Sequence, residues 1–355
     1  MDHLMPGITA RRVPTARVTT HVLEAGEPDG TPVVFVHGNV SSALFWQPTM
    51  LALPAGYRAV APDLRGFGST DRAPVDATRG LRDFSDDLGA LLDALGLPAA
   101  HLVGWSMGGG VVLQHLLDAP GRVASLTLVN PVSPFGFGGT KGPHGELCAP
   151  DGAGSGGGAG NPDFVARLAA GDTGDDSPLS PRRVLLAQYV KEGCVPEPLE
   201  AMVHSMLTTA TGDDHYPGTS APSGNWPGFA PGDRGVLNTM APTHFRITAD
   251  DLAALDPKPP VLWIRGADDV IVSDTSMHDL AHLGSLGIVP GWPGEDACPP
   301  QPMVTQTRTV LDGYAKAGGR YTETVIEDSG HGPQLDRPEE FRAALLAHLA
   351  AAAAV

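Results

Sequence analysis

The chain has 355 residues, 42% hydrophobic and 18% charged, proportions of a folded globular protein and not of a disordered one. Its 23 basic and 40 acidic residues give a net charge of −17, which repels phosphate and argues against nucleic acid or an anionic membrane as partner. Cys148, Cys194 and Cys298 lie far apart and make neither a disulfide framework nor a CxxC pair, so a reduced, cytoplasmic setting is expected, with no signal peptide at the N-terminus and no membrane-spanning helix.

In chain order, a segment around Arg17–Glu24 reads as an antiparallel strand pair. Short, nearly continuous apolar runs follow at Val33–His37, Tyr57–Pro62, Ala100–Gly104, Ser125–Asn130, Val261–Arg265 and Tyr321–Ile326, the pattern of parallel strands covered on both faces. Between them, Asp83–Leu95 places Phe84, Leu88, Leu91, Leu92 and Leu95 on one helical stripe, with Gly96 as a stop. Val111–Leu117 and the alanine-rich Pro338–Ala352 also read as helices. This alternation predicts an α/β fold, a doubly wound and mostly parallel sheet.

Two segments interrupt the alternation. The first divides the chain into a core of residues 1–131 and 257–355 and an inserted helical lid of residues 132–256. Helices are expected there at Asp163–Ala170, Pro181–Glu192 and Pro198–Thr209, and the low-complexity tract 151–160 reads as a flexible linker. The second, residues 273–319, reads as a long loop insertion with Trp292.

The strongest motif is Gly104-Trp105-Ser106-Met107-Gly108, placed after a strand and before a helix. Small residues let a serine sit on a sharp, strained turn at the carboxyl edge of the sheet. The turn aims the amide of Met107 and the positive end of the helix at a developing oxyanion. Ser106 is therefore the candidate nucleophile. A serine hydroxyl needs a base, and His331 in Ser329-Gly330-His331-Gly332 follows the last expected strand. His37, His101, His204, His215 and His244 compete for that role, His101 as an exposed strand-edge residue and the last three in the lid.

VVFVHG (33–38), DLRGFGSTD (63–71), HLVGWSMGGG (101–110), WIRGADDVIV (263–272) and EDSGHGPQLDRPEEF (327–341) occur in an order in which the chain resembles the α/β-hydrolase family. The resemblance covers most of the chain outside the two interruptions. It implies that His331 is the base and that Asp269 is the acid that orients it, with Asp268 the main rival and Asp274 a weaker one. An alternative acid position after the preceding strand is held by the uncharged Asn130. It further implies an oxyanion hole from the amides of Asn39 and Met107. Asp63 and Asp71 read as structural. Trp46 stands where relatives carry a tryptophan near the pocket.

The implied activity is hydrolysis of a carboxylic ester or lactone through an acyl-serine, with a small-molecule ester or lactone as the partner. The same triad acting on an amide, thioester or C–C bond, and a non-catalytic small-molecule receptor on the scaffold, stay open as alternatives. HGNV departs from the longer glycine run of proline iminopeptidases. A serine at 106 disfavours dehalogenase and epoxide-hydrolase chemistry, because water does not hydrolyse a serine ether as it does an aspartyl ester. No HExxH, CxxC or calcium-loop spacing appears, so no metal and no cofactor are expected. Trp105, Phe135, Phe137, Met202, Met206 and Trp226 are candidate substrate-pocket residues, with Tyr216 and Phe229, and each fits lid packing equally well.

Overall fold

The computed structural model describes residues 3–353. The main sheet has eight strands: β1 (Thr9–Pro14), β2 (Thr19–Gly26), β3 (Thr31–Val36), β4 (Tyr57–Pro62), β5 (Ala100–Trp105), β6 (Val123–Val129), β7 (Val261–Gly266) and β8 (Tyr321–Ile326). Their spatial order is β1-β2-β4-β3-β5-β6-β7-β8. β2 is antiparallel to both β1 and β4, and the remaining pairs are parallel. Every residue of β5 is buried, so both faces of the central strand are covered, as its unbroken apolar run requires.

Six helices matter here: α1 (Arg82–Ala94), α2 (Met107–Asp118), α3 (Pro162–Ala170), α4 (Leu199–Leu207), α5 (Met303–Lys316) and α6 (Pro338–Ala353). α2 packs on β3, β5 and β6, and α6 packs on β6, β7 and β8. α2 starts four residues before the apolar stripe of Val111–Leu117, because the glycines belong to its first turn. A Cβ on Gly108 would stand 2.4 Å from the carbonyl oxygens of both Val36 and His37, so helix and strand can meet only without one.

Three expectations change. The tract 151–160 is not a flexible linker: residues 152–157 are buried and packed against the rest of the insertion. A Cβ on Gly157 would meet the Thr219 carbonyl oxygen at 2.2 Å, and one on Gly158 would meet the Phe229 ring at 2.3 Å. The glycines are there for close approach, not for flexibility. The helix expected over Pro181–Glu192 runs only through Pro181–Val184, opens into a π-type turn at Leu185–Tyr189 and becomes extended at Val190. The segment 273–319 is not all loop. α5 lies within it as the helix of the β7-to-β8 crossover, its apolar residues Met303, Val310, Leu311 and Tyr314 buried. The polar residues among them (three threonines, Gln306 and Arg308) mask that stripe in the sequence.

The two interruptions are tied to each other. Gly138 N–H donates to Gln301 Oε1 at 2.6 Å, Gln301 Nε2 donates to the Gly136 carbonyl at 3.0 Å, and Ser133 Oγ donates to Gln306 Oε1 at 2.7 Å. Cys148 and Cys298, remote in sequence, come near one another as free thiols.

Candidate active site

Ser106 sits between β5 and α2 at φ 57°, ψ −121°, a conformation that a non-glycine residue holds only at a cost of about 1–3 kcal/mol. Hydrogen bonds on both sides pin the turn: Ser106 N–H donates to the Val129 carbonyl, and Gly109 and Val132 donate to the Ser106 carbonyl. Gly38 lies against the serine, and a Cβ there would stand 2.9 Å from Ser106 Cβ. The HGN loop and the serine turn therefore share one edge of the sheet. Met107 is buried in the first turn of α2.

His331 is buried on the loop after β8, and its Nδ1 lies 2.9 Å from Asp269 Oδ2. The carboxylate can only accept, so Nδ1 carries the proton and Nε2 is left as a base. Asp269 is buried too, and its other oxygen accepts from Ile271 N–H at 2.7 Å and Val272 N–H at 3.1 Å. Those bonds hold the carboxylate aimed at the imidazole. The rival Asp268 points outward and pairs with Lys191 Nζ at 2.8 Å. Asp274 caps the start of α5, accepting from Val304 and Thr305.

Three residues given no such role by the sequence fix the histidine loop. Asn130, at φ 37°, donates from Nδ2 to the Gly330 and His331 carbonyls at 3.1 and 2.8 Å and accepts from Gly266 N–H at 3.1 Å. Trp105 Nε1 donates to the His331 carbonyl at 2.7 Å. Asp336 accepts from Gly330 N–H at 2.6 Å and from Lys191 N–H at 2.9 Å, joining the loop to the inserted lid. None of these links is visible in sequence, since each spans more than 100 residues or depends on loop path.

The remaining histidines do other things. His37 is fully buried. Its Nε2 accepts from Leu64 N–H at 2.9 Å, so Nδ1 donates to the Gly38 carbonyl at 2.7 Å, and burial holds the ring well below its ordinary pKa. His101 is buried, not an exposed strand edge, and shares a 2.8 Å hydrogen bond with Ser125 Oγ. Asp63 accepts from Ala43 and Ser69 N–H, and Asp71 from Thr19 N–H, both structural as expected.

Ser106, Asn39 and His331 open on one cavity of ≈ 640 Å³. Trp105, Phe137 and Tyr216 border it, as anticipated. Six other candidates are not among its lining, Phe229 among them, packed against Gly158. Trp46 is core, packed on Phe35 and Phe341. Phe135 is buried under Arg246 and against Gly145. Met202 and Met206 are fully buried in α4. Trp226 donates Nε1 to the Pro290 carbonyl and bridges the two interruptions. The unanticipated lining includes the backbone of Gly154, Gly156 and Gly160, with Gln188, Tyr189 and His278. Tyr189 OH donates to the Asn39 and Val40 carbonyls at 3.1 and 3.4 Å, so the segment 132–256 holds the HGN loop from outside. Burial raises the Tyr189 hydroxyl far above its ordinary pKa, keeping it a neutral donor. No cluster able to hold a metal occurs, and no helix is long and apolar enough to cross a membrane, among the described residues.

Residues 31–144 match the family described as alpha/beta hydrolase fold. The RutD protein of Variovorax paradoxus is 47% identical over 106 residues, 30% of this chain and 40% of that protein. Carboxylesterase YbfK of Bacillus subtilis is 32% identical over 116 residues, 33% of this chain and 39% of that one. The alignments thus span about two fifths of the relatives' length. The crystal structure of the Bacillus subtilis carboxylesterase CesB (YbfK) superposes with TM-score 0.60 at 18% identity, covering 98% of this chain and 93% of that one. That of serine hydrolase CCSP0084 from Cycloclasticus zankles gives 0.61 at 18%, covering 97% of each.

Proposed function

Because the core of the chain has the fold of the α/β-hydrolase family, we propose that the protein is a serine hydrolase that cleaves a carboxylic ester or lactone through an acyl-serine intermediate. One observation carries the reading: a serine on a strained strand-to-helix turn and a histidine already bonded to a buried carboxylate open on the same cavity. Ser106 Oγ attacks the carbonyl carbon while His331 Nε2 takes its proton. Asp269 holds the Nδ1–H tautomer and stabilises the imidazolium. The carbonyl oxygen becomes an oxyanion facing the amides of Asn39 and Met107, and the positive end of α2 adds to their field. His331 then gives its proton to the leaving alcohol, and water repeats the sequence in reverse to free the acid.

The coordinates favour a fixed oxyanion loop. Tyr189 grips it from the lid side and His37 from beneath, so the amide of Asn39 needs no rearrangement as charge develops. The cavity wall contains no Lys, Arg, Asp or Glu side chain, which suits an uncharged, largely apolar substrate. Wild-type protein should hydrolyse 4-nitrophenyl butanoate, and Ser106→Ala should lower kcat about 10⁴-fold or more with the unfolding midpoint kept. A panel of ester, lactone, anilide and thioester substrates separates the bond classes. Wild-type turnover by the alanine variant, or no fluorophosphonate labelling of Ser106, would overturn the assignment.

A further inference from the structure

The acid loop does more than carry Asp269. After accepting from Ile271 and Val272, it bends back on itself through a Met277 N–H bond to the Val270 carbonyl. Ser276 Oγ stabilises the bend, donating to the Ile271 carbonyl and accepting from His278 N–H at 3.1 Å. This return places Val270, Ile271, Val272, Met277 and His278 on the cavity wall beside the acid and base. Leu280 and Leu283 of the following turn extend the same wall. His278 is therefore the one hydrogen-bonding side chain in an apolar surface.

Its environment is unusual. His278 is exposed, and it lines the cavity. Its nitrogens find no hydrogen-bond partner among the described residues. Desolvation by the surrounding protein, with His331 adding and Asp269 opposing, lowers its pKa. At neutral pH the ring is thus uncharged, with one N–H to donate and one nitrogen to accept. With no protein partner, that N–H and that nitrogen are free to exchange water for a polar group of a ligand in the cavity.

The chemistry decides which half of a substrate lies there. His331 must protonate the leaving oxygen, so the alcohol half sits on the wall next to His331 and Asp269. We infer that His278 selects the alcohol half of the substrate: it binds esters whose alcohol carries an uncharged hydrogen-bonding group, such as a hydroxyl, set in an otherwise apolar frame. The inference rests on the serine-hydrolase reading above. His278 acts as a specificity residue and takes no proton in the reaction.

The test uses the full chain and two near-isosteric esters, propyl butanoate and 2-hydroxyethyl butanoate, followed by pH-stat titration, with 4-nitrophenyl butanoate as a common reference. Wild-type kcat/KM should favour the hydroxyethyl ester by about five- to tenfold, what one neutral hydrogen bond supplies. In His278→Leu the ratio should fall to one or below, because a hydroxyl then enters an apolar wall without a partner. His278→Gln, which keeps a donor and an acceptor, should restore part of the preference. A merely structural role would lower both rates together and leave the ratio alone. Turnover of all three esters with a wild-type ratio at or below one, or with a ratio unaltered by His278→Leu, overturns this inference alone. No turnover of any of them by wild-type protein overturns the serine-hydrolase reading and this inference with it.

Discussion

Replacing Gly157 by alanine tests whether the glycine-rich tract is a wall or a linker. The added Cβ would stand 2.2 Å from the Thr219 carbonyl oxygen and 2.8 Å from that of Gly218. Both are backbone atoms, so no side chain can swing away. Forced overpacking of this kind costs about 1–3 kcal/mol. The same residue donates its N–H to Asn238 Oδ1 at 2.8 Å, and a shift that lengthens that bond adds up to about 1 kcal/mol. Against this, alanine narrows the unfolded ensemble and returns about 0.4–1 kcal/mol. The net expectation is a loss of roughly 2 kcal/mol. With an unfolding entropy of ~2.1 cal/mol/K per residue over the whole chain, Tm falls by about 3 °C. Gly224→Ala is the control: nothing lies within 4 Å of its Cβ and its φ lies outside the left-handed region, so only the unfolded-state gain applies. Urea midpoints and calorimetry on both variants provide the assay. A flexible tract would make the two substitutions behave alike. A Gly157→Ala midpoint at or above wild type would refute the reasoning.

The two neighbouring aspartates should separate cleanly: Asp269→Asn should lower kcat by about 10³- to 10⁴-fold through loss of the imidazolium's partner, while Asp268→Asn should change it less than about threefold. Comparable losses in kcat would move the acid to the other residue. Acid stability should follow His348, which burial, with His101 nearby, pushes down to about 4. Its folded-state pKa lies below the unfolded value, so the unfolded chain binds the extra proton and stability falls as pH drops from about 6.5 to 4. His348→Leu should shrink the difference in urea midpoint between pH 7 and pH 4.5 by an amount equivalent to roughly 1–2 kcal/mol, discounted for the ring's partial exposure. An unchanged difference would mean that this histidine is not what acid titrates.

Local pattern was enough to place the sheet and the chemistry. Unbroken apolar runs such as Ala100–Gly104 read as covered parallel strands because burial on both faces demands them, and β5 is buried throughout. Ser106 was legible because a strained turn requires small neighbours at fixed spacing, and His331 because it follows the last strand directly. Asp269 was less so: its neighbour Asp268 has the same chemistry, and only the fold turns one carboxylate inward to His331 and the other outward to Lys191. Of the wall of the cavity only Trp105, Phe137 and Tyr216 were legible. Glycine has the same composition signature in a loose linker and in a tight packing interface, and at 151–160 only the atoms across the interface, from Thr219, Phe229 and Asn238, distinguish the two. Likewise Tyr189, Asn130 and His278 carry no motif, and the motif around Asp336 does not show what that residue holds. Their positions follow from long-range chain paths, which no local periodicity encodes. The sequence by itself thus determined which residues stand as candidates to attack and accept a proton, since backbone strain and side-chain chemistry are local. Tertiary structure decided what surrounds them, since the shape of a cavity is set by segments that meet only on folding.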